Sequence, residues 1–345
     1  MPARRRMGPS EMVLAISVAR RYYLDGRSKI EIADEFELSR FKVARLLETA
    51  QDQGLVRIEI GHPGAIDLEL SAQLQDAFHL KHALVVDTGD DAGASLRQRL
   101  GQTAAELLTE VVTSDDVLGL AWARTVSAMA TQIQQLPPIP VVQLTGALSP
   151  TSGSSSSIDD DSSIDVVREV ARASRGPAYL FFAPFLVPDA ATARALRRQP
   201  DVSRAFAQFG SVTKAVAGIG RWGPTESTLY DAATQADRQA LVHEGVCADI
   251  SGVFLAADGT PLETSLNERI VGIGASEMRS IEEVIAIPYG VNKTVAVMAA
   301  LRSGLVDSIV THSALAAALL SGAEFSPSTS PSGVRPARSP AGDPA

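Results

Sequence analysis

The stretch SKIEIADEFELSRFKVARLLETAQDQG, residues 28–54, decides the fold of the first part of the chain. It contains two apolar series at helical spacing, the first ending at Phe36 and the second beginning at Val43, and each series predicts a helix. Ser39 is a favourable N-cap for the second helix, and Gly54 is a favourable end. Two helices joined by so short a turn form a helix-turn-helix. The apolar positions are Ile30, Ala33, Phe36, Val43, Leu46, Leu47 and Ala50.

The second helix of this motif is predicted to present a cationic face to solvent. A helical wheel turns Lys42 and Arg45 away from the apolar side. Ser39 and Arg40 lie at the helix N-terminus, where backbone N–H groups favour a phosphate. A helix of this size and charge fits the major groove of DNA, although an ordinary helix hairpin with solvated charges is the alternative. The predicted DNA-binding residues are Lys29, Ser39, Arg40, Phe41, Lys42 and Arg45.

The segments on either side of the motif complete a small domain. Ahead of it, an apolar stripe predicts an amphipathic helix that is capped by Ser10 and stopped at Gly26. Glu37 occupies the turn position that glycine often takes, which predicts a positive φ for a non-glycine residue. VRIEI (56–60) alternates apolar and polar residues and predicts a closing strand, a rudimentary wing. The stripe comprises Met12, Ala15, Ile16, Ala19 and Tyr23.

Charge is unevenly distributed along the chain. The 345 residues carry 31 Lys and Arg against 40 Asp and Glu, a net charge of −9, which argues against a protein that coats nucleic acid or anionic membrane. Residues 1–60 hold 11 basic and 9 acidic side chains, a net of +2, so the remaining 285 residues carry −11. A slightly basic head on an acidic body predicts two roles in one chain.

Several classes of protein are excluded by composition. Cys247 is the only cysteine, which excludes an internal disulfide and a cysteine-built zinc site, and the five histidines lack metal-ligand spacing, so no cofactor is predicted. The longest apolar stretch, 177–188, is too short to span a bilayer and contains prolines. The basic run 4–6 before the apolar residues 12–19 resembles a signal peptide, but arginines at 20–21 follow at once. A cytoplasmic location is therefore predicted.

The body of the chain, from residue 82 onward, alternates short apolar strands with helices, which predicts an α/β fold with a parallel sheet covered on both faces. The predicted strands are 82–89, 116–122, 139–148, 179–185, 214–220, 246–256, 269–274, 282–290 and 308–313. The predicted helices are 97–112, 125–135, 234–244, 292–303 and 314–321, preceded by a linking helix that carries Leu68, Leu70, Leu74 and Phe78. The predicted segments are a helix-turn-helix domain at 1–60, a linker with its helix at 61–81, an effector-binding domain at 82–322 and a disordered Pro- and Ser-rich tail at 323–345.

Ligands on such sheets bind at the carboxyl ends of the strands, and several predicted strand ends carry suitable residues. Backbone N–H groups at Gly146 and Ala147 are predicted to cradle an anion. Lys293 is predicted in the first turn of a helix, where a cation meets a phosphate. Each feature alone is also compatible with an ordinary turn. The polar segment 151–163 predicts a flexible loop, with a lid as the alternative. The strand ends are GLAWART (119–125), LTGALSP (144–150) and PYGVNK (288–293).

Taken in order, these motifs resemble the SorC family of bacterial sugar-responsive transcriptional regulators. The resemblance covers about residues 10–322 and rests on the helix-turn-helix with VRIEI, then GLAWART, LTGAL, AVAGIG, CADISGVF and the run 269–320. It implies an effector domain similar to glucosamine-phosphate deaminase and ribose-phosphate isomerase folds. It also implies a homo-oligomer, dimer or tetramer, whose DNA affinity is set by a sugar, polyol or phosphosugar. Carried over by motif, the effector-binding residues are Trp122, Arg124, Thr125, Thr145, Gly146, Ala147, Asp249, Tyr289, Gly290 and Lys293.

The chain departs from the family pattern at three loops. Ala147 stands where a second glycine is common, and Ala123 stands where glycine commonly follows the tryptophan. Pro288 and Tyr289 replace small residues in the late loop. The added bulk predicts a narrower pocket and weakens the case for phosphate recognition.

The function predicted from the sequence is a DNA-binding transcriptional regulator, repressor or activator, and not an enzyme. Its predicted partners are double-stranded operator DNA, a small sugar, polyol or phosphosugar, and further copies of the chain, with no membrane. An isomerase- or deaminase-like enzyme with an accessory DNA-binding head is one alternative. Such an enzyme needs a general base, for which Asp249 and His312 are candidates without clear acid–base spacing. A DNA-binding protein that ignores effectors is the other.

Overall fold

The computed structural model describes residues 8–56, 66–87, 93–148 and 162–324. The chain divides into two compact units, Met1–Gly61 and His62–Ala345. The helices are α1 Pro9–Tyr23, α2 Lys29–Glu35, α3 Arg40–Asp52, α4 Leu68–Phe78, α5 Gly93–Val111, α6 Arg124–Ala130, α7 Ser163–Ser174, α8 Ala190–Arg197, α9 Pro200–Phe206, α10 Thr228–Ala232, α11 Gln235–His243, α12 Ala275–Ser280, α13 Thr294–Arg302 and α14 Ser313–Glu324. The strands are β1 His82–Val86, β2 Leu118–Leu120, β3 Val141–Gln143, β4 Ala178–Tyr179, β5 Lys214–Ala217, β6 Gly220–Arg221, β7 Ala248–Ile250, β8 Val253–Leu255, β9 Pro261–Leu262, β10 Glu283–Ala286 and β11 Ser308–His312.

The first unit consists of α1, α2 and α3 around a small apolar core. Ser28 and Glu31 form a capping box at the start of α2. The Ser39 side chain accepts a hydrogen bond from the Lys42 N–H at the start of α3, which confirms the predicted cap. Glu37 has a φ of 52°, which confirms the positive φ predicted for the turn. The buried side chains are Ala15, Val18, Ala19, Ile32, Ala33, Val43, Leu46, Leu47 and Ala50.

Details of α1 differ from the sequence prediction. Ser10 is not the N-cap, because α1 begins at Pro9 with Gly8 as its cap, and proline is well suited to the first helical position. The buried face is centred on Ala15, Val18 and Ala19, whereas Ile16 and Tyr23 are exposed. Small side chains on that face allow a close approach to α3, so the large apolar residues are displaced to solvent. The strand predicted at 56–60 lies outside the described residues after Val56.

The second unit is built on a parallel sheet of seven strands in the order β1-β11-β10-β5-β2-β3-β4. Every neighbouring pair in it runs parallel, which confirms the predicted fold class. Helices α4, α13 and α14 pack apolar side chains against one part of the sheet, and α5, α6 and α7 pack against another. Because its central strands are buried, they read in the sequence as near-continuous apolar runs.

A second sheet, which the sequence did not predict, has four antiparallel strands in the order β6-β7-β8-β9. The single strand predicted at 246–256 is a hairpin whose turn is formed by Ser251 and Gly252 at φ 53° and 88°. Both of its strands are buried, so their apolar residues run together in the sequence. The strand predicted at 269–274 forms only isolated bridges at Ile270 and Gly272.

Other boundaries also differ from the predictions. Of the strand predicted at 179–185, only Tyr179 lies in a strand, β4, and Pro184 forms an isolated bridge. Helices α7, α8, α9, α10 and α12 were not predicted. Ser163, the last residue of the predicted loop 151–163, is the first residue of α7, with Ser162 as its cap. Residues 149–161 lie outside the described part of the chain. Helix α14 continues to Glu324, past the predicted start of the tail at 323, and 325–345 lie outside the described residues. Within the described ranges, no helix is both long and apolar enough to cross a membrane.

Candidate functional site

The parallel sheet has a switch point between β2 and β5. The chain leaves β2 toward β3 on one side, whereas the next sheet strand after β5, β10, lies on the other side. Segments that leave two adjacent strands in opposite directions open a crevice at their carboxyl ends, and this is where ligands bind on such sheets. One cavity of the second unit lies at these carboxyl ends.

This cavity has a volume of about 170 Å³ and is walled by loops from β2, β3, β5 and β10 and by the β7–β8 hairpin. All the predicted effector-binding residues except Ala147 line it. The structure therefore brings together residues that are up to 171 positions apart in the sequence, from Trp122 to Lys293. These lining residues are Trp122, Arg124, Thr125, Thr145, Gly146, Asp249, Tyr289, Gly290 and Lys293.

The loop after β3 does not have the predicted anion cradle. The Gly146 N–H donates to the Val271 carbonyl at 2.9 Å, and the Ala147 N–H donates to the Ala183 carbonyl at 2.9 Å. Both donors are therefore used inside the protein, and the prediction that they bind an anion is wrong. A Cβ at Gly146 would overlap the backbone at Phe185, so glycine is needed there for this close approach and not for a ligand.

An acidic corner of the cavity is formed by Asp249, whose side chain is buried with 7% of its surface exposed. The Ser227 hydroxyl donates to Asp249 Oδ1 at 2.6 Å. Burial raises the pKa of Asp249, and the bond from Ser227 only partly opposes this shift. A Cβ at Gly220 would overlap the Asp249 carboxylate, which leaves only glycine at that position. The corner is thus a desolvated carboxyl group that faces the cavity.

Two cations, Lys293 and Arg124, also line the cavity, and Lys293 interacts electrostatically with Asp249. Lys293 Nζ donates to the Ile219 carbonyl at 2.9 Å and lies 5.5 Å from the centre of the Tyr289 ring. Burial lowers the pKa of Lys293, against the raising effects of Tyr289 and Glu226. The sequence predicted Lys293 in the first turn of a helix. In the structure it instead ends a short 3-10 turn that precedes α13. Arg124, the first residue of α6, lines the cavity with an exposed side chain.

The turn that follows β10 is fixed by three side chains from neighbouring elements. Thr125 Oγ1 donates to the Ile287 carbonyl at 2.8 Å, and Thr311 Oγ1 donates to the Pro288 carbonyl at 3.1 Å. The Gly290 N–H donates to His312 Nε2 at 3.0 Å. His312 does not line the cavity. The sequence suggested His312 as a candidate general base of an enzyme. The structure places it behind the turn, outside the lining of the cavity.

Sequence reasoning missed several residues of the cavity wall. Glu226 and Ser227 follow β5 and β6, and Asn292 hydrogen-bonds to Glu226 across the cavity. Ser251, at the hairpin turn, is buried and its hydroxyl has no hydrogen-bond partner in the described structure. The polar residues Thr225–Ser227, which follow an apolar strand, could have indicated that Glu226 and Ser227 belong to the cavity wall. Nothing in the sequence indicated that Ser251 lies at a turn inside an apparent strand.

Exposed residues of α3 form the candidate DNA-binding face of the first unit. Arg40 and Arg45 are exposed, and Phe41 has 87% of its surface exposed. Lys42 Nζ lies 3.6 Å from a Glu11 carboxylate oxygen, so part of its charge is balanced. Ser39 is the cap of α3. Lys29 is the first residue of α2 and so does not belong to α3. Its Nζ lies 5.5 Å from the centre of the Tyr22 ring.

Among the residues that the structure describes, no group of three or more His, Cys, Asp or Glu side chains is arranged to hold a metal ion.

Known proteins that resemble this chain are transcriptional regulators. A family model described as a putative sugar-binding domain matches residues 63–321. The uncharacterized transcriptional regulator YjhU of Escherichia coli is 28% identical over 310 residues, which cover 87% of this chain and 92% of the relative. The deoxyribonucleoside regulator of Bacillus subtilis is 25% identical over 317 residues, with 91% and 99% covered.

A solved structure extends the likeness to almost the whole chain. The full-length sorbitol operon regulator SorC from Klebsiella pneumoniae matches with a TM-score of 0.67 at 21% identity, covering 91% of this chain and 100% of that one. At this identity the match shows a shared fold. The relatives favour a regulator over the enzyme alternative.

Proposed function

The chain belongs to the family of the putative sugar-binding domain, as its resemblance to SorC regulators implied, and from this premise we propose that one cavity in the second unit controls its affinity for operator DNA. The observation that carries the proposal is the cavity at the switch point, where the predicted effector residues meet. The proposed ligand is a sugar or a polyol, and the proposed DNA contacts come from α3.

The chemistry of the wall favours hydroxyl groups over a phosphate. Asp249 and the free hydroxyl of Ser251 offer hydrogen-bonding groups in a desolvated corner, and Trp122 and Tyr289 offer rings on which the C–H face of a sugar packs. A phosphate would need several free N–H donors, but those of Gly146 and Ala147 are used. If the ligand is a phosphosugar, Lys293 and Arg124 are the side chains that would bind its phosphate.

The proposed DNA-binding unit is the helix-turn-helix of residues 1–60, with Arg40, Phe41 and Arg45 exposed on α3. A head of this size contacts one half-site, so the proposal includes a homo-oligomer, a dimer or tetramer, that presents two heads to paired half-sites. Lys29, Ser39 and Lys42 are included as contacts to phosphates. Since the chain would act on operator DNA in a bacterium, a cytoplasmic location is part of the proposal.

Control of the head by the cavity is proposed to be a population shift. A ligand that binds one conformation of the oligomer more tightly raises the fraction of molecules in that conformation. The net charge of −11 on residues 61–345 repels DNA, so the heads alone make contact.

Ligand binding is tested by thermal unfolding with sorbitol, 2-deoxyribose, ribose 5-phosphate and glucosamine 6-phosphate. A ligand that binds the native state raises the melting temperature, and Lys293→Met abolishes this rise because the Nζ donor is lost. The control Lys81→Met removes an exposed lysine and keeps the rise. A wild-type chain that none of these compounds stabilises contradicts the proposed ligand class. Turnover of either phosphosugar contradicts the assignment as a regulator.

DNA binding is tested with a duplex selected from a randomised pool by the wild-type chain. Arg45→Ala weakens binding to this duplex and lowers the slope of log affinity against log salt by about one, because one phosphate contact is lost. Arg20→Ala removes the same charge from α1 and serves as the matched control. Equal salt slopes for the wild type and Arg45→Ala contradict the placement of the DNA face on α3.

A further inference from the structure

The wall of the cavity that carries Tyr289 and Lys293 depends on one histidine. The backbone between them turns at Gly290, whose φ is 92°, and the Gly290 N–H donates to His312 Nε2 at 3.0 Å. The Lys293 N–H in turn donates to the Gly290 carbonyl at 3.0 Å. The orientation of this turn therefore sets the positions of both side chains that face the ligand.

The bond from Gly290 requires the neutral form of the imidazole. A neutral ring has one nitrogen that accepts and one that donates, whereas a charged ring has only donors. Since Nε2 accepts here, the proton of the neutral ring lies on Nδ1. His312 is buried, with 6% of its surface exposed, at the end of β11. The other two bonds that hold the turn come from Thr125 and Thr311 hydroxyls, which do not titrate near neutral pH.

We propose that His312 is a positioning residue for the ligand cavity: its neutral imidazole holds the Tyr289-Gly290 turn in place, and protonation of the ring releases the turn. The inference rests on the proposed function of the cavity and adds a regulation by pH to it. No catalytic role is involved, because His312 stands behind the wall and touches the backbone of the turn.

Burial also favours the neutral ring. It lowers the pKa of His312 below the ordinary value for histidine, so the bond from Gly290 is present at neutral pH and is lost as the pH falls through the lowered pKa. The charged and titratable groups around the turn include Asp87 after β1, Arg97 and Arg99 on α5, Arg124 beside Thr125 on α6, Glu226, to which Asn292 donates, and Tyr289 and Lys293 on the turn itself. The lowering is caused by burial and not by any of these charges.

A single amide resonance can follow this bond without any ligand. Tyr289-Gly290 is the only Tyr–Gly pair in the sequence. Full-length chain labelled with ¹³C at tyrosine carbonyls and ¹⁵N at glycines therefore gives one peak in an HNCO spectrum, that of the Gly290 amide. In the wild type this peak is expected to move as the pH is lowered from about 6.5, the ordinary histidine pKa.

Three variants decide whether His312 causes the movement. His312→Gln retains an acceptor that cannot be charged, so its peak stays near the wild-type neutral position at every pH. His312→Leu has no acceptor, so its peak is displaced from the start and does not titrate. His243→Gln removes an exposed histidine at the end of α11 and keeps the wild-type curve. A wild-type peak that does not move, or one that moves equally in His312→Gln, overturns the proposal.

The consequence for binding is measured with sorbitol and ribose 5-phosphate as probes. If only the neutral form holds the turn, the Kd of the wild type rises about tenfold for each pH unit below the pKa of His312, and the Kd of His312→Gln does not change with pH. A constant wild-type Kd beside a titrating peak overturns the link to affinity. If neither probe binds, the proposed function fails, while the ligand-free peak still decides the role of His312.

Discussion

Two buried aspartates, one just before β2 at the amino ends of the parallel strands and one in β7 beside their carboxyl ends, have pKa values displaced in opposite directions. Asp116, at the amino edge, is desolvated but accepts bonds from the Thr113 N–H and hydroxyl and from the Thr213 hydroxyl, and these bonds lower its pKa overall. Asp249, in β7 beside the carboxyl ends of the parallel strands, accepts bonds from the Ser227 hydroxyl and the Gly252 N–H, and burial raises its pKa despite both bonds. Both side chains are little exposed to solvent, but Asp249 lies deeper among protein atoms, so desolvation acts more strongly on it than on Asp116.

The difference shows what each edge does. At the amino edge both carboxylate oxygens of Asp116 accept hydrogen bonds. Beside it, Lys214 Nζ lies 3.4 Å from one carboxylate oxygen of Glu283, and the other Glu283 oxygen accepts a bond from the Ser308 hydroxyl. That edge ties β5, β10 and β11 together. At the carboxyl edge a carboxyl group is desolvated and left with capacity for further hydrogen bonds. A fully satisfied polar cluster rigidifies a fold, whereas remaining hydrogen-bonding capacity at Asp249 is what the proposed function assigns to a ligand.

The largest effect is expected at the amino edge. Glu283→Ala leaves Lys214 without its nearer partner in a buried position, which lowers the free energy of unfolding by about 3 kcal/mol. Both tryptophans, Trp122 and Trp222, lie in the second unit, so their fluorescence during urea unfolding reports on that unit. The control Glu244→Ala, at an exposed position after α11, changes it by about 0.5 kcal/mol or less. Equal free energies of unfolding for the two variants would contradict a stabilising role of the polar cluster at the amino edge.

A smaller loss is expected for Asp116→Asn, about 2 kcal/mol at neutral pH, because an amide cannot accept all the bonds of the carboxylate. A carboxyl whose pKa is lowered in the folded state stabilises the fold above the ordinary aspartate pKa, and this contribution disappears as the pH falls through the lowered value. The gap between the wild type and the variant therefore closes in acid. The measurement is urea unfolding at a series of pH values, and a gap that stays constant with pH contradicts the prediction.

The smallest effect is expected for Asp249→Asn, within about 1 kcal/mol of the wild type at neutral pH, since removal of a desolvated charge offsets a weakened hydrogen bond. A raised carboxyl pKa means that the folded chain holds the proton more tightly than the unfolded one. Wild-type stability therefore falls as the pH rises from the ordinary aspartate pKa through the raised value. The variant lacks this fall, so the pH dependence of its difference from the wild type is opposite to that of Asp116→Asn. If the stability difference from the wild type changes with pH in the same direction for Asp249→Asn and Asp116→Asn, the contrast between the two aspartates is wrong.

The parts of the fold that the sequence predicted depend on short-range patterns. The turn at Glu37 and the cap at Ser39 are set by residues three or four positions apart, and the alternation of strands and helices follows from local apolar runs. The cavity residues after β2, β3 and β10 were found because they follow strands, and the carboxyl ends of parallel strands share one edge. The motif resemblance added Asp249, which no local pattern could place.

The parts that were missed depend on contacts between distant segments. The N–H groups of Gly146 and Ala147 are used because Val271 and Ala183 lie beside them in space, and no sequence spacing reveals that pairing. The hairpin at Ser251 looked like one strand because both of its arms are buried. Helix α7 begins directly after a polar segment, and its cap, Ser162, was read as part of that segment.

The cavity wall is assembled from segments between residues 122 and 293, so under the proposed function a ligand bound there would also affect the lifetime of the chain. Contacts of such sequence separation slow folding, because long loops must close before they form. A compound in the cavity thus protects the entire second unit against unfolding, since it binds only the native state. Proteases that cleave the opened chain act on a population that shrinks as the compound accumulates. The effector would then set how many copies of the regulator a cell contains as well as what each copy does.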